Sequence, residues 1–275
     1  MKKLSIGMVL YNPKVQKLLN NINELNIIAD KIYLIDNNSN NIDKLEEKIN
    51  NDKIILVKNK DNLGIARGLN QLLEETVKNK DELLLTLDQD SMINPSMILE
   101  MINYISDDIA IVCPVINDIN KKKKINQEKD IVELERCITS GSIMNLCVCK
   151  NIGVFDEKMF IDYVDFDYCK RIRLANKKII MVKNAVLEHE IGKRTKKKFL
   201  FWAVYPTNHN EKRVYYYVRN IKYFCKKYKL TFKEILYEKI VLTWKFISII
   251  LYENNKKNKI RAFINGLKDY KTMLD

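Results

Sequence analysis

Apolar runs and helix-like segments take turns along the first third of the chain, and this rhythm constrains the fold more than any other feature. Leu4–Tyr11, Lys31–Asp36, Lys53–Lys58 and Glu82–Asp88 are short, rich in Ile, Leu and Val, and predict strands. Between them, Val15–Ala29, Ile42–Asn50 and Ile65–Asn79 carry apolar residues at helical spacing, as Leu18, Leu19, Ile22 and Leu25 do. Strands joined by helices imply βαβ units, hence a mostly parallel sheet covered on both faces, an α/β fold. Ligands of such sheets bind beyond the carboxyl ends of the strands, so chemistry is expected in the segments that follow those ends.

Those segments are polar. They read Tyr11-Asn12-Pro13, Asp36-Asn37-Asn38-Ser39, Asn62-Leu63-Gly64-Ile65-Ala66-Arg67-Gly68-Leu69-Asn70 and Asp88-Gln89-Asp90-Ser91. Neither Gly-x-Gly-x-x-Gly nor Gly-x-x-x-x-Gly-Lys-Ser/Thr occurs, which argues against dinucleotide and P-loop sites. Past residue 95 the pattern loosens. It predicts a helix at Ser96–Ile105, a strand at Ile109–Val115, a solvated loop at Lys121–Lys124, and an apolar strand within Ile138–Cys149 after a Ser140-Gly141-Ser142 turn. A helix over Asp165–Asn176 and strands at Lys178–Val182 and Ala185–His189 follow. After 195 the chain reads as helical and basic: Val214–Tyr228, Phe232–Tyr252 and Lys256–Met273.

Charge marks a boundary. The 275 residues hold 48 Lys+Arg against 35 Asp+Glu, a net +13. Residues 1–192 carry 27 basic and 29 acidic side chains, whereas 193–275 carry 21 and 6, so the whole excess lies in the last segment. The step near Gly192-Lys193 divides a core, 1–192, from a basic helical C-terminal extension, 193–275. That extension invites either nucleic acid or an anionic membrane surface as partner. No run of about 18 apolar residues suggests a spanning helix. The apolar run after Lys2 and Lys3 is too short for a signal peptide, and the cysteines sit mostly in apolar stretches as free thiols, so a cytoplasmic protein is expected.

The polar segments admit both ordinary and chemical readings. Asp88 and Asp90 close an apolar strand. They could cap a turn, or share a hard divalent cation, Mg²⁺ or Mn²⁺, whose shell substrate phosphates would complete. Asp36 could form an Asx-turn or accept a hydrogen bond from a base or ribose. Arg67 and the helix start beside it could face a phosphate or simply face solvent. Asp162, Asp165 and Asp167 could be helix-capping charge or include a general base. His189 could be structural or a third metal ligand.

Taken in chain order, these pieces resemble an inverting glycosyltransferase of family 2. They are Tyr11-Asn12, Asp36-Asn37-Asn38-Ser39, Asn62-x-Gly64-x-Ala66-x-x-x-Asn70, Asp88-x-Asp90, Ser140-Gly141-Ser142, the acid-rich helix start and His189. The resemblance spans about residues 4–225 and implies the Rossmann-like GT-A fold. Leu87-Asp88-Gln89-Asp90-Ser91, Phe160-Ile161-Asp162-Tyr163-Val164-Asp165, Leu187-Glu188-His189-Glu190-Ile191-Gly192 and Tyr215-Tyr216-Tyr217-Val218-Arg219-Asn220 are similar to the bacterial rhamnosyltransferases within that family.

The resemblance implies a dTDP-rhamnose donor, held by Tyr11, Asn12, Asp36, Asn38, Asn62, Gly64, Arg67, Asp88 and Gln89. It further implies a metal at Asp90 and Asp88 with His189 in support, and Asp165 as the base. The acceptor side would be Ser140, Gly141, Ser142 and Asp162. Many relatives have Glu-Asp where this chain has Val164-Asp165, so the base rests on Asp165, with Asp162 as an outside candidate. A lipid-linked saccharide is the expected acceptor, with the protein peripheral at the inner face of the cell membrane. The rival readings are a sugar-phosphate nucleotidyltransferase and a nucleic-acid-binding module using the basic end.

Overall fold

The structure, a computed structural model, describes residues 2–118, 130–189, 197–199, 202–204 and 206–274. They form two compact units: Met1–Glu157 with Val164–His189, and Lys158–Tyr163 with Glu190–Asp275. The Gly192-Lys193 step and the Lys121–Lys124 tract lie outside the described residues.

The first unit runs β1 (Leu4–Leu10), α1 (Val15–Leu25), β2 (Lys31–Asp36), α2 (Asp43–Glu46), β3 (Ile54–Lys58), α3 (Gly64–Asn79) and β4 (Leu83–Asp88). It continues through α4 (Pro95–Ile102), β5 (Ile109–Asp118), β6 (Ile131–Glu133), β7 (Ser142–Asn145), α5 (Leu146–Cys149), α6 (Val164–Leu174) and β8 (Lys178–His189). The strands make one eight-stranded sheet in the order β3-β2-β1-β4-β7-β5-β8-β6. β3, β2, β1 and β4 are mutually parallel, as the βαβ rhythm requires, while β7 runs antiparallel to both its neighbours.

Burial explains why these segments hold. Ile6, Met8 and Leu10 of β1, Ile32 and Leu34 of β2, and Leu83 and Leu85 of β4 join one apolar core with Leu18, Ile22 and Leu25 of α1. Each such side chain, fully buried, contributes about 1.5–3 kcal/mol. The α1 residues recur every three or four positions and so share one helix face. At α4, Asn94 accepts the Ser96 N–H at 2.9 Å and Pro95 occupies the first turn, where its missing donor costs nothing.

Several elements differ from the sequence expectation, each for a local reason. Within Ile138–Cys149 only Ser142–Asn145 is strand; Leu146–Cys149 turns into helix as β7 ends. The two strands expected at 178–189 are one, β8, whose register against β5 slips between Pro114 and Val115. Pro114 has no N–H to offer the ladder, so the irregularity falls there. β6 is a three-residue edge strand, too short to show a period.

The second unit contains β9 (Lys197–Phe199) paired antiparallel with β10 (Trp202–Val204), a hairpin where only helix was expected. Then come α7 (Glu211–Lys227), α8 (Phe232–Tyr252), α9 (Lys256–Asp269) and a 3₁₀ turn at Tyr270–Met273. Asn210 caps α7 through the Arg213 N–H, and Thr231 with Glu234 forms a capping box on α8. Val214, Val218, Ile249 and Phe263 make the apolar centre. α9 meets α7 at Gly266, where a Cβ would stand 2.7 Å from the Tyr215 carbonyl oxygen, so only glycine allows this approach. Among the described residues no helix is long and apolar enough to cross a membrane.

This unit also buries charge. Glu253 accepts from Lys245 Nζ at 2.7 Å and from Lys259 Nζ at 2.9 Å, and the same lysines reach Thr207 and Asn208. His209, next in the chain after those two anchors, has its pKa lowered from 6.5 to about 3, first by burial and then by Arg213, Lys245 and Lys259, against an opposing pull from Glu253. The unfolded chain therefore binds a proton that the folded chain refuses throughout that window, and stability must rise with pH across it. His209→Gln is expected to flatten the urea midpoint between about pH 3 and 6.5; an unchanged acid slope would show that His209 does not set it.

Candidate active site

The register of the parallel strands brings the expected donor-side residues to one edge. Asp36 pairs with Leu10 across β2 and β1, and Asp88 pairs with Val9 across β1 and β4. Both residues thus stand at the carboxyl edge, on strands flanking β1 whose backbones lie about 10 Å apart by the spacing of neighbouring strands.

Hydrogen bonds stitch the loops at this edge together. The Tyr11 N–H donates to Gln89 Oε1 at 2.8 Å, and Gln89 Nε2 returns a bond to the Tyr11 carbonyl at 3.2 Å. The Asn12 N–H donates to Ser39 Oγ at 2.7 Å, while Asn12 Oδ1 accepts the Asn40 N–H. Asn37 donates to the Gly64 carbonyl and accepts from Asn59, joining the β2 loop to the start of α3. There Asn62 Oδ1 accepts the N–H of Gly64, whose φ of +85° requires glycine. Asn38 sits in the left-handed region at φ +64°, a conformation asparagine tolerates, and is exposed.

Asp36 departs from this mutual satisfaction. It is buried, and Oδ2 accepts the Ser39 N–H at 3.0 Å, but Oδ1 is shielded from water with no hydrogen-bond partner. A buried carboxylate oxygen without a donor is costly, and such a group marks a place where a donor from elsewhere fits.

At the end of β4 the Asp88 and Asp90 side chains are exposed. The Asp88 N–H donates to Ser140 Oγ at 3.0 Å, and Ser140 Oγ lies 2.9 Å from Ser91 Oγ. Ser142 Oγ donates to the Ile138 carbonyl, and the Gly141 N–H donates to the Thr86 carbonyl. Both serine hydroxyls are buried. Their placement differs from an exposed acceptor surface: they brace the Asp88–Ser91 turn and the β4–β7 pairing from beneath.

Asp165 opens α6, half-buried, with Oδ1 accepting the Phe166 N–H at 2.9 Å. It lines a narrow cavity with Thr86, Thr139, Ser142, Cys137 and Cys169. Thr86 lies two residues before Asp88 on β4, which sets Asp165 beside the same strand end. Cys137 and Cys169 have their sulfurs 3.7 Å apart, and both thiols are held well above their ordinary pKa, Cys137 first by its contact with Cys113 and Cys169 first by its contact with Cys137. They are inert thiols walling the cavity, a neighbourhood that the scattered cysteine positions did not announce.

Other expected residues stand elsewhere. Arg67 donates to Glu74 at 2.6 Å and to Glu157 at 3.3 Å, so a phosphate would compete with two carboxylates for it. Asp162 belongs to the second unit, where Arg213 grips it through Nε and Nη2 at 3.0–3.3 Å. Asn220 of α7 donates to the carbonyls of Ile161 and Asp162, both at 2.9 Å, and the Tyr163 hydroxyl bonds Glu238. These bonds hold Asp162 and Tyr163, consecutive left-handed residues at φ +66° and +67°, immediately before Val164. His189 ends β8 opposite Asp118; its side chain, and Glu190-Ile191-Gly192 of its motif, lie outside what the structure describes.

The donor set suits a hard cation only in part. Among the described residues no group of three or more His, Cys, Asp or Glu is arranged to hold a metal. Asp88 and Asp90 nonetheless supply exposed carboxylate oxygens at one turn, the ligand type Mg²⁺ and Mn²⁺ take when phosphates and water complete the shell.

Comparison with known proteins adds to this geometry. The profile described as Glycosyl transferase family 2 matches residues 5–166. The dTDP-rhamnosyl transferase RfbF of Shigella flexneri is 26% identical over 286 residues, spanning 94% of each chain. S. aureus TarS 1–349 in complex with UDP-GlcNAc superposes with a TM-score of 0.61 at 16% identity, over 99% of this chain and 82% of that one. GalNAc-T7 with UDP, GalNAc and Mn²⁺ gives 0.61 at 15% identity over 81% of this chain, which spans about half of that structure, 48%. The α/β sheet flanked by helices is the GT-A fold these structures share.

Proposed function

Because this chain belongs to glycosyl transferase family 2 and is a glycosyltransferase, we propose that it transfers L-rhamnose from dTDP-L-rhamnose, with inversion, to a hydroxyl of a lipid-linked or growing cell-surface saccharide at the inner face of the membrane. The observation that carries the nucleotide half is the orphaned Oδ1 of Asp36. A thymine ring presents one imide N–H flanked by carbonyls, and that N–H is the missing donor. The likeness to a dTDP-rhamnosyl transferase along nearly the whole chain supports the sugar.

In this reading the Tyr11–Gln89 and Asn12–Ser39 bonds pre-shape the floor on which the donor lies, so little ordering is left to binding. Asp90 and Asp88 hold the divalent ion, Mg²⁺ or Mn²⁺, with His189 in support. When bound there, such an ion offsets the charge of the diphosphate. Asp165 takes the proton of the acceptor hydroxyl as its oxygen attacks the anomeric carbon from the face opposite the nucleotide. The bond to the diphosphate breaks with its electron pair, dTDP leaves, and the anomeric configuration inverts. No protein–sugar bond is needed, and the strongly raised thiols at 137 and 169 are poor nucleophiles for one.

A screen of dTDP- and UDP-sugars, with nucleoside diphosphate release as readout, tests the proposal. dTDP-rhamnose should give the highest turnover, EDTA should reduce it to background, and Mn²⁺ or Mg²⁺ should restore it. Preference for a UDP-sugar would overturn the donor assignment, and chelator-insensitive transfer the metal role of Asp88 and Asp90. Release of pyrophosphate instead would indicate nucleotidyl transfer.

A further inference from the structure

α8 is apolar on two sides, and its own unit covers only one. Its inner face carries Ile249 and the half-buried Leu242 and Phe246 toward Val218 and Phe263. Its outer face carries Phe232, 78% exposed, Leu236, Ile240, 57% exposed, and Trp244, 39% exposed, at successive four-residue steps, with Leu251 further on. Residues so spaced form a single stripe, and 21 residues at 1.5 Å each make it about 30 Å long.

The charge around this stripe has one sign. Lys226 and Lys229 precede the helix, Lys233 and Lys239 lie on it, and Lys256 and Lys257 follow it, all exposed. The acids in the same stretch are all engaged: Glu234 in the capping box, Glu238 buried on the Tyr163 hydroxyl, and Glu253 buried between two lysines. An apolar stripe that includes a tryptophan, framed by lysines and lacking an exposed carboxylate, matches a surface of anionic lipid headgroups over hydrocarbon. A second copy matches it badly, because like-charged lysines would be brought face to face.

We propose that α8 docks in the plane of an anionic bilayer. Phe232, Leu236, Ile240 and Trp244 enter the boundary between headgroups and acyl chains, and the flanking lysines contact lipid phosphates. The inference stands on exposure and charge alone; it goes beyond the donor reading by assigning the C-terminal unit a partner of its own.

The full-length protein, floated with phosphatidylcholine vesicles with and without phosphatidylglycerol, decides the matter. It should rise with the anionic vesicles at low salt and be released at high salt. Ile240→Glu, at an exposed position, should weaken partitioning about tenfold or more while leaving the unfolding midpoint and dTDP binding unchanged. A folded protein that ignores anionic vesicles overturns the proposal. So does a concentration-dependent dimer in sedimentation that Ile240→Glu abolishes, since the stripe would then be a protein interface. Vesicle binding in a protein inactive toward dTDP-rhamnose would remove the donor reading and leave the docking surface standing.

Discussion

Asp165→Asn is expected to lower rhamnosyl transfer by about 10²- to 10⁴-fold, the usual contribution of a positioned general base, with dTDP affinity unchanged. An asparagine Oδ1 still accepts the Phe166 N–H that Asp165 Oδ1 accepts at 2.9 Å, so the opening of α6 is retained. What is lost is the capacity to hold a proton. The rate should therefore fall in kcat without a compensating rise in nucleotide Kd, measured by steady-state kinetics beside calorimetry. Near-normal turnover in a folded variant would remove Asp165 from the role. It would not pass the role to Asp162 by default, because that carboxylate is already committed to the Arg213 guanidinium.

Glu253→Gln should produce the largest loss of stability, about 3–5 kcal/mol, the cost of stranding buried charge. Glu253 is 1% exposed and Lys259 3%, and Lys245 is nearly as enclosed. A glutamine can accept from one lysine, but then turns its NH₂ toward the other, leaving two cations and no anion. Burial alone would raise the Glu253 pKa, yet the bonds from Lys245 and Lys259 outweigh it and hold the carboxyl below its ordinary 4.5. A depressed carboxylate stabilises the fold above its unfolded-state pKa, and that contribution disappears as pH falls through the folded value. The variant should thus be much weaker than the parent near neutrality and approach it at acid pH. Urea titrations at both ends of that range check this. Glu211→Gln, an exposed acid on α7, should stay within about 0.5 kcal/mol. A Glu253 variant as stable as the Glu211 variant would show that the lysines rehydrate.

The part of the molecule that holds the donor-side residues was readable because it is periodic. Strands β1 to β4 and helices α1 and α3 announce themselves through runs of Ile, Leu and Val and through Leu18, Ile22 and Leu25 at helical steps. Once that rhythm implies a parallel sheet, Asp36 and Asp88 must fall at one edge. The single oxygen of Asp36 without a donor was not readable, since it depends on which neighbour Ser39 turns toward. Elements without period were missed: the three residues of β6, and a hairpin inside a lysine-rich tract. Side-chain commitments at long range were also invisible. Nothing in the sequence pairs Arg67 with Glu157, or Tyr163 with Glu238, 75 residues on. The serines at 140 and 142 were expected on the acceptor side, and both are buried where the chain enters β7.

The assignment of Lys158–Tyr163 to the second unit has a consequence during synthesis. These residues leave the ribosome 51 positions before Arg213, which grips Asp162, and 75 before Glu238, which bonds Tyr163. Two successive left-handed residues cannot be held by a nascent chain that lacks those partners. The contacts that hold Asp162 and Tyr163 are therefore complete only after α8 has emerged. A chain stopped at 192 would carry every residue proposed to touch the donor, while Asp162 and Tyr163 would still lack Arg213 and Glu238. In this protein the order of translation makes Lys158–Tyr163 wait for the basic C-terminal segment with which it forms one unit.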